Sequence, residues 1–243
     1  MTVISNNLAN VNTTGYKRDR AVFEDLLYQR LVQAGGQTSA NTSAPTGMML
    51  GTGTKVVATE KMHAQGNMVM TQNALDIAVS GDGFFQILQP DGTVAYTRDG
   101  SFKLSPTGQL ITSNGSLLQP TIQVPNNAQS ITIGADGVVS AKIFGTAEQQ
   151  VLGNLQVARF INPAGLESIG QNLLRANAAS GPVQQLKPGT NGAGQLVQGA
   201  LEASNVNVVE EMVNMIETQR AYEINSKAIS AADQMLKFIN TNM

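Results

Sequence analysis

Apolar positions along the chain fall into three textures. From Asn207 to Asn240 they follow a helical repeat. Met215, Tyr222, Ile229 and Leu236 recur every seven residues, and Ala221, Ile224, Ala228, Ala231, Met235 and Phe238 alternate steps of three and four beside them. Asn207, with Glu210 three places on, has the form of a capping box and sets the start. The spacing predicts one helix of about 30 residues, near 45 Å long, with two adjacent apolar seams. That is longer than a compact domain of this size needs, and the seams call for more than one neighbour.

At the other end, Ile4, Leu8 and Val11 stand at spacings of four and three until Asn12-Thr13-Thr14-Gly15, which predicts a helix with a sharp stop. From Gly53 to about Glu202 short runs of Val, Ile, Thr, Phe and Tyr are closed by Asp82-Gly83, Asp91-Gly92, Asp99-Gly100, Asn114-Gly115 and Asp136-Gly137. Such dipeptides supply the positive φ angles of tight hairpins. One hairpin is expected from Val94–Arg98 to Ser101–Leu104 and another from Leu110–Thr112 to Ser116–Leu118. Residues 35–47 are small and polar, with neither period, and alone are expected to be a linker or disordered. A second polar stretch, Pro182 to Gly199, holds Pro188-Gly189 and Asn191-Gly192 and leads back to the C-terminal helix. The expectation is an α+β protein: a helix over 1–14, an extended linking segment over 15–52, an antiparallel β domain over 53–202 and a helix over 203–243.

Charged residues are 13% of the 243, well below the ~25% usual for soluble domains, while hydrophobic residues are 42%. A surface so weakly charged offers little repulsion between copies, which favours assembly. The formal net charge of −2 leaves no broad basic surface for nucleic acid, and Lys17-Arg18-Asp19-Arg20 is too short to supply one. Cysteine is absent, which removes disulfides, thiolate metal sites and Cys nucleophiles together. No apolar run reaches the roughly 18 residues of a membrane span. Residues 1–20 lack a basic start followed by an apolar stretch, so an ordinary secretory signal is not expected.

Candidate chemistry is sparse. His63 is the single histidine and stands in Lys61-Met62-His63-Ala64, a setting for a packing or surface residue rather than a metal cluster or a Ser-His-Asp triad. No Ser lies in a Gly-x-Ser-x-Gly elbow or has Lys three places on. Asp82, Asp91, Asp99 and Asp136 each precede Gly, which gives every one a sufficient role in a turn rather than in glycoside hydrolysis. Gly51-Thr52-Gly53-Thr54-Lys55 lacks the Walker spacing, and Val56 stands where Ser or Thr is needed. No calcium loop of the Asp-x-Asp-x-Asp-Gly kind occurs. No catalytic residue, metal site or cofactor is expected.

Ser5-Asn6-Asn7-Leu8-Ala9-Asn10-Val11-Asn12-Thr13-Thr14-Gly15-Tyr16-Lys17 resembles the N-terminal motif of the flagellar rod and hook family. Val213-Asn214-Met215-Ile216-Glu217 and Gln219-Arg220-Ala221-Tyr222-Glu223 resemble its C-terminal motif. Ser80-Gly81-Asp82-Gly83-Phe84-Phe85 and Tyr96-Thr97-Arg98-Asp99-Gly100 resemble its central β region, so the similarity spans nearly the whole sequence. Length, Gly51-Thr52-Gly53 and Gly165-Leu166-Glu167-Ser168-Ile169-Gly170 are most like the members that build the distal rod; hook subunits carry a larger outer portion. The resemblance implies terminal helices paired as an inner-tube coiled-coil core with the β domain outside. It also implies export through the flagellar type III apparatus and self-assembly into a rigid hollow shaft in the basal body. The shaft would span the periplasm, join proximal rod proteins to the hook protein and turn inside the P-ring and L-ring proteins as a bushing. Family members carry several more helical turns before the position of Met1, so the first helix is expected to be a shortened one.

The residues support the same expectation on their own. Terminal seams held away from the β block are coverable by other copies through heterologous contacts, which extend as a helical filament. Ile4, Leu8, Val11, Met215, Tyr222, Ile224, Ala228, Ile229, Met235 and Leu236 are the expected assembly positions. Tyr28, Leu31, Gly35, Pro45, Met48, Met49 and Leu50 mark a segment expected to order between subunits and stiffen the rod. The alternatives are a proximal-rod or hook-type subunit of the same family, and, in another class, a β-rich peptidoglycan-binding module dimerised by its C-terminal helix.

Overall fold

The computed structural model describes residues 1–35, 37–39, 42–43, 46–145 and 148–241. Its contacts divide the protein into two units, one of Met1–Arg18 with Met62–Met243 and one of Asp19–Lys61.

The larger unit is built on a seven-stranded antiparallel sheet. Its order is Lys103–Leu104, Leu110–Ile111, Leu117–Gln119, Phe85–Leu88, Val94–Thr97, Leu173–Arg175 and Glu167–Gly170. Strands Phe85–Leu88 and Val94–Thr97 pair from Val94 opposite Leu88 to Thr97 opposite Phe85. The turn between them is made by Asp91-Gly92, with Gly92 at φ +82°. Period-2 alternation then places Phe85, Ile87 and Ala95 on one face and Phe84, Gln86 and Tyr96 on the other. The first face joins Ile77, Val79, Phe102, Leu110, Leu118, Leu155 and Val157 in the main core, where Phe85 and Phe102 meet edge to face at 5.1 Å. The second face packs Phe84 and Tyr96 with Phe160, Leu166 and Leu174. A three-stranded sheet, Ala128–Ile133, Val138–Ile143 and Gln149–Asn154, adds Ile133 and Val139 to the main core through an Asp136-Gly137 turn.

The hairpin expected across Asn114-Gly115 forms, with Ile111 opposite Leu117 and Gly115 N donating to Thr112 O at 2.9 Å. The one expected across Asp99-Gly100 does not. Val94–Thr97 pairs instead with Phe85–Leu88 and with Leu173–Arg175, while Lys103–Leu104 pairs with Leu110–Ile111. Gly100 is there for close approach rather than for a turn. Its carbonyl accepts from Ile77 N at 3.1 Å, and a Cβ on it would stand 1.6 Å from Ile77 O.

Helix α1 spans Thr2–Ala9 and α2 spans Val208–Thr241. The first is shorter than its apolar spacing predicts and leaves Val11 beyond its end. The Asn10 side-chain amide folds back onto Asn6 O at 2.9 Å and onto Asn6 Oδ1 at 3.0 Å, while Thr13 Oγ1 holds Asn10 Oδ1 at 3.2 Å. These local bonds compete with a further helical turn. At 34 residues α2 is about 51 Å long. Asn207 Oδ1 accepts from Val209 N at 3.0 Å and Glu210 N at 3.4 Å, so the capping residue is in place.

The smaller unit is a two-stranded antiparallel ribbon. Asp19–Asp25 pairs with Thr54–Lys61, then Tyr28–Val32 with Met48–Gly51, then Gln37–Ser39 with Thr42–Ser43. Residues 54–61, assigned by their texture to the β domain, therefore pair with residues of the expected linker. Three cross-strand ion pairs, Lys61–Asp19, Arg20–Glu60 and Lys55–Glu24, lie at one end of this ribbon.

Candidate assembly interface

Two buried polar junctions decide how the terminal segments leave the β domain. Glu202 ends the strand Ala200–Glu202 and accepts from Lys17 Nζ at 2.6 Å, Gly66 N at 2.8 Å and Arg98 Nη1 at 3.3 Å. Lys17 also donates to Ala64 O at 2.8 Å. Arg98 donates to Val79 O and Gly81 O, and its guanidinium carbon lies 5.3 Å from the centre of the Phe84 ring. Two buried cations thus share one buried carboxylate. Burial pushes the Lys17 ammonium below its ordinary range against the pull of Glu202, and the nearby Arg98 adds to the depression. Burial likewise lowers Arg98, opposed by Glu202 and Asp82, although a guanidinium stays charged in any accessible range.

The second junction ties α1 to α2. Arg18 places Nη1 2.7 Å from Glu210 Oε1 and Nε 2.6 Å from Glu211 Oε1. Buried Glu211 also accepts from Asn7 Nδ2 at 3.3 Å, and Asn7 Oδ1 accepts from Tyr16 Oη at 3.2 Å. Glu210 therefore gives its carboxylate to Arg18 rather than to the return bond of a capping box.

Beyond its base α2 is bare. Every residue from Gln219 to Asn240 is exposed, Tyr222 at 76% and Ile224 at 66% among them. At about 100° per residue, the two seams together cover an arc of about 200°, twice the stripe that an ordinary surface helix buries. The remaining arc carries Glu223 with Lys227 and Asp233 with Lys237, acid before base at the favourable four-residue spacing.

Ile4, Leu8, Val11 and Met215 are half-buried, whereas Tyr222, Ile224, Ala228, Ile229, Met235 and Leu236 all lie on the bare length of α2. In the ribbon Tyr28, Leu31, Gly35, Met48, Met49 and Leu50 are exposed; Pro45 lies outside the described residues. Asp91, Asp99 and Asp136 each accept the N–H two residues on, as turn residues do. His63 packs its ring edge to face on Phe84 at 5.5 Å.

Comparison with known proteins matches the two ends and the middle of the sequence to three flagellar families. Residues 1–17 match the family described as Flagella basal body rod protein, residues 78–141 the Flagellar hook protein FlgE/F/G D1 domain, and residues 197–242 the Flagellar basal body rod FlgEFG protein C-terminal. The Flagellar basal-body rod protein FlgG of Buchnera aphidicola subsp. Acyrthosiphon pisum (strain APS) is 53% identical over 237 residues, covering 98% of this chain and 91% of that one. The chain belongs to the flagellar basal-body rod protein family. Two further members are FlgG of Borreliella burgdorferi, 52% identical over 98% of this chain and 90% of that one, and FlgG of Bacillus subtilis, 39% identical over 97% and 90%.

For a rod-family protein the residues that sequence reasoning missed are those of the two junctions: Asn7, Tyr16, Arg18, Lys17, Arg98, Glu202 and Glu211. One signal was available. Glu202 alternates with Leu201 in a strand whose other inward position is Ala200, so its charge stands where a core residue belongs, and a buried charge demands a partner.

Proposed function

We propose that this rod-family member is a structural subunit of the distal rod of the bacterial flagellum, self-assembling into the rigid shaft that passes torque from motor to hook. The observation that carries this reading is the bare 22-residue stretch of α2, residues 219–240, with apolar seams on more than half its circumference. A single helical neighbour covers one stripe, and a dimer zipper would leave the other seam in water. Two neighbours related by the same heterologous contact cover both, and that contact, repeated without closing a ring, extends as a helical filament.

In this reading α1 and α2 pair as the coiled-coil core of an inner tube, with the β domain outside. Ile4, Leu8, Val11, Met215, Tyr222, Ile224, Ala228, Ile229, Met235 and Leu236 form its interface. The Asn7–Glu211 and Arg18–Glu211 contacts supply a pre-set start for that pairing within each subunit. The ribbon is the stiffening segment, since a two-stranded hairpin is marginal alone and gains from being covered. The shaft runs through the basal body across the periplasm. It meets proximal rod proteins at one end and the hook protein at the other, turns inside the P-ring and L-ring proteins, and is fed by the flagellar type III export apparatus.

Sizing at rising concentration tests this, followed by electron microscopy of the product. Growth through successive oligomers to filaments is expected; a species that stops at two identifies a zipper and overturns the reading.

A further inference from the structure

The sequence holds two Asn-Gly pairs, Asn114-Gly115 and Asn191-Gly192. In this dipeptide the backbone nitrogen of glycine reaches the asparagine side-chain amide with no Cβ in its way. The two pairs are the same chemically and differ in their surroundings.

At the first pair both reacting groups are engaged. Gly115 N donates to Thr112 O at 2.9 Å within a closed hairpin, and Asn114 Nδ2 donates to Gln171 Oε1 at 3.0 Å. For the nitrogen to attack, both bonds must break.

At the second pair neither group is held. Asn191 and Gly192 are exposed, and among the described residues neither the Asn191 side chain nor Gly192 N has a hydrogen-bond partner. The peptide between them is also polarised. Arg159 Nη1 donates to Asn191 O at 3.1 Å, and this carbonyl belongs to the same amide group as Gly192 N. A permanent cation on the carbonyl oxygen draws electron density through the amide and makes its N–H more acidic. Arg159 is itself set by its strand, Val157–Arg159, paired opposite Gln184.

We propose that Asn191 is a site of spontaneous deamidation in the folded protein, activated by Arg159, while Asn114 is protected. Gly192 N loses its proton to water or hydroxide and attacks Asn191 Cγ. The new N–Cγ bond closes a succinimide as the bond between Cγ and Nδ2 of Asn191 breaks, and ammonia leaves with a proton from solvent. One water then adds to either ring carbonyl and opens that C–N bond, giving aspartate or isoaspartate. The net change is water in and ammonia out, with no oxidation or reduction. The product is one unit more negative than the −2 of the unmodified protein, with the new carboxylate in the loop that Arg159 anchors.

The experiment is timed incubation of the full-length protein at mildly alkaline pH, with peptide mapping by mass spectrometry at both sites. Asn191 should convert several-fold faster than Asn114, and an acidic form should grow in isoelectric focusing. In urea the two rates should converge. Arg159→Met should slow conversion at Asn191 and leave Asn114 unchanged, whereas Arg159→Lys should keep part of the acceleration. Equal folded-state rates at the two sites, or a gap that persists in urea, overturns the site assignment. An Arg159→Met rate at Asn191 that is unchanged or higher overturns the activation. The first comparison uses two sites in one sample, so it stands even if a variant folds poorly.

Discussion

Glu202 Oε1 lies 2.6 Å from Lys17 Nζ, with the two side chains 0% and 3% exposed. Lys17 stands at the close of the N-terminal segment and Glu202 at the last strand residue before the lead into α2. One ion pair thus clamps both terminal segments to the β domain, and Arg98 joins it from within the sheet at 3.3 Å. The cluster holds two cations against one anion, so its members are not equivalent.

Glu202→Gln leaves two buried cations without a buried counter-charge, with only exposed Asp82 near Arg98, and should cost about 3–5 kcal/mol. Lys17→Met leaves a neutral Arg98–Glu202 pair and should cost less than half as much. Urea unfolding of the monomer measures both. Equal losses would mean that packing, not charge balance, governs the cluster.

The same imbalance fixes the sign of a pH effect. Folding lowers the Lys17 affinity for its proton below the ordinary value of 10.5, so in the window between the folded and unfolded values the unfolded state binds more protons. Stability from this group therefore rises with pH through that window. Measured against Lys17→Met, to cancel other groups, wild-type stability should gain between neutral pH and about pH 10. A difference that shrinks or stays flat would contradict the burial effect.

Gly100 and Gly115 separate two uses of glycine. Gly115→Ala meets nothing within 4 Å but must hold φ +84°, at about 1 kcal/mol. Gly100→Ala meets Ile77 O at 1.6 Å and should cost more than about 3 kcal/mol, because backbone in the core has to move. Thermal melts of the two variants compare them, and a milder loss for Gly100→Ala would show that the sheet yields there.

This contrast also marks what the sequence made legible. Signals carried by near neighbours were readable: the seams and cap of α2, and the turns at Asp91-Gly92 and Asn114-Gly115. Asp99-Gly100 has the same local form, but its role depends on Ile77, more than twenty places earlier, and spacing along the sequence does not encode that. The ribbon was hidden for another reason. Both of its faces are exposed in Tyr28–Val32 and Met48–Gly51, so nothing enforces the in-out alternation that marks a half-buried strand. The junction charges were hidden because their partners come from opposite ends of the sequence, 185 positions apart for Lys17 and Glu202.

Assembly should depend on the seams and not on the helix as such. Ile229→Asp or Leu236→Asp places a charge where the proposed tube is packed, at several kcal/mol per subunit, while the β-domain melt should be unchanged because both residues are exposed in the monomer. Ser230→Asp, on the polar arc, is the control and should polymerise normally. Filaments from Ile229→Asp matching wild type in yield would place this seam outside the contact.

The last expectation concerns stiffness. A bent tube that rotates must let each subunit slide along its axial neighbours once per turn, so a segment wedged across that contact resists bending. The ribbon suits this role: it exposes Leu27, Tyr28, Leu31, Met48, Met49 and Leu50 to solvent in the free subunit, and covering them between copies removes that apolar surface from water. Its register supplies a clean deletion. Val32 lies opposite Met48, so replacing Gln33–Gly47 by Asn-Gly closes the ribbon with a two-residue hairpin turn and keeps the pairing below it. The shortened protein should still polymerise, because α1, α2 and the β domain are untouched. Its filaments should bend more readily, read as a shorter persistence length and greater curvature in electron micrographs beside wild type prepared alike. Equal stiffness would place rigidity in the helical tube and reduce the tip of the ribbon to a connection.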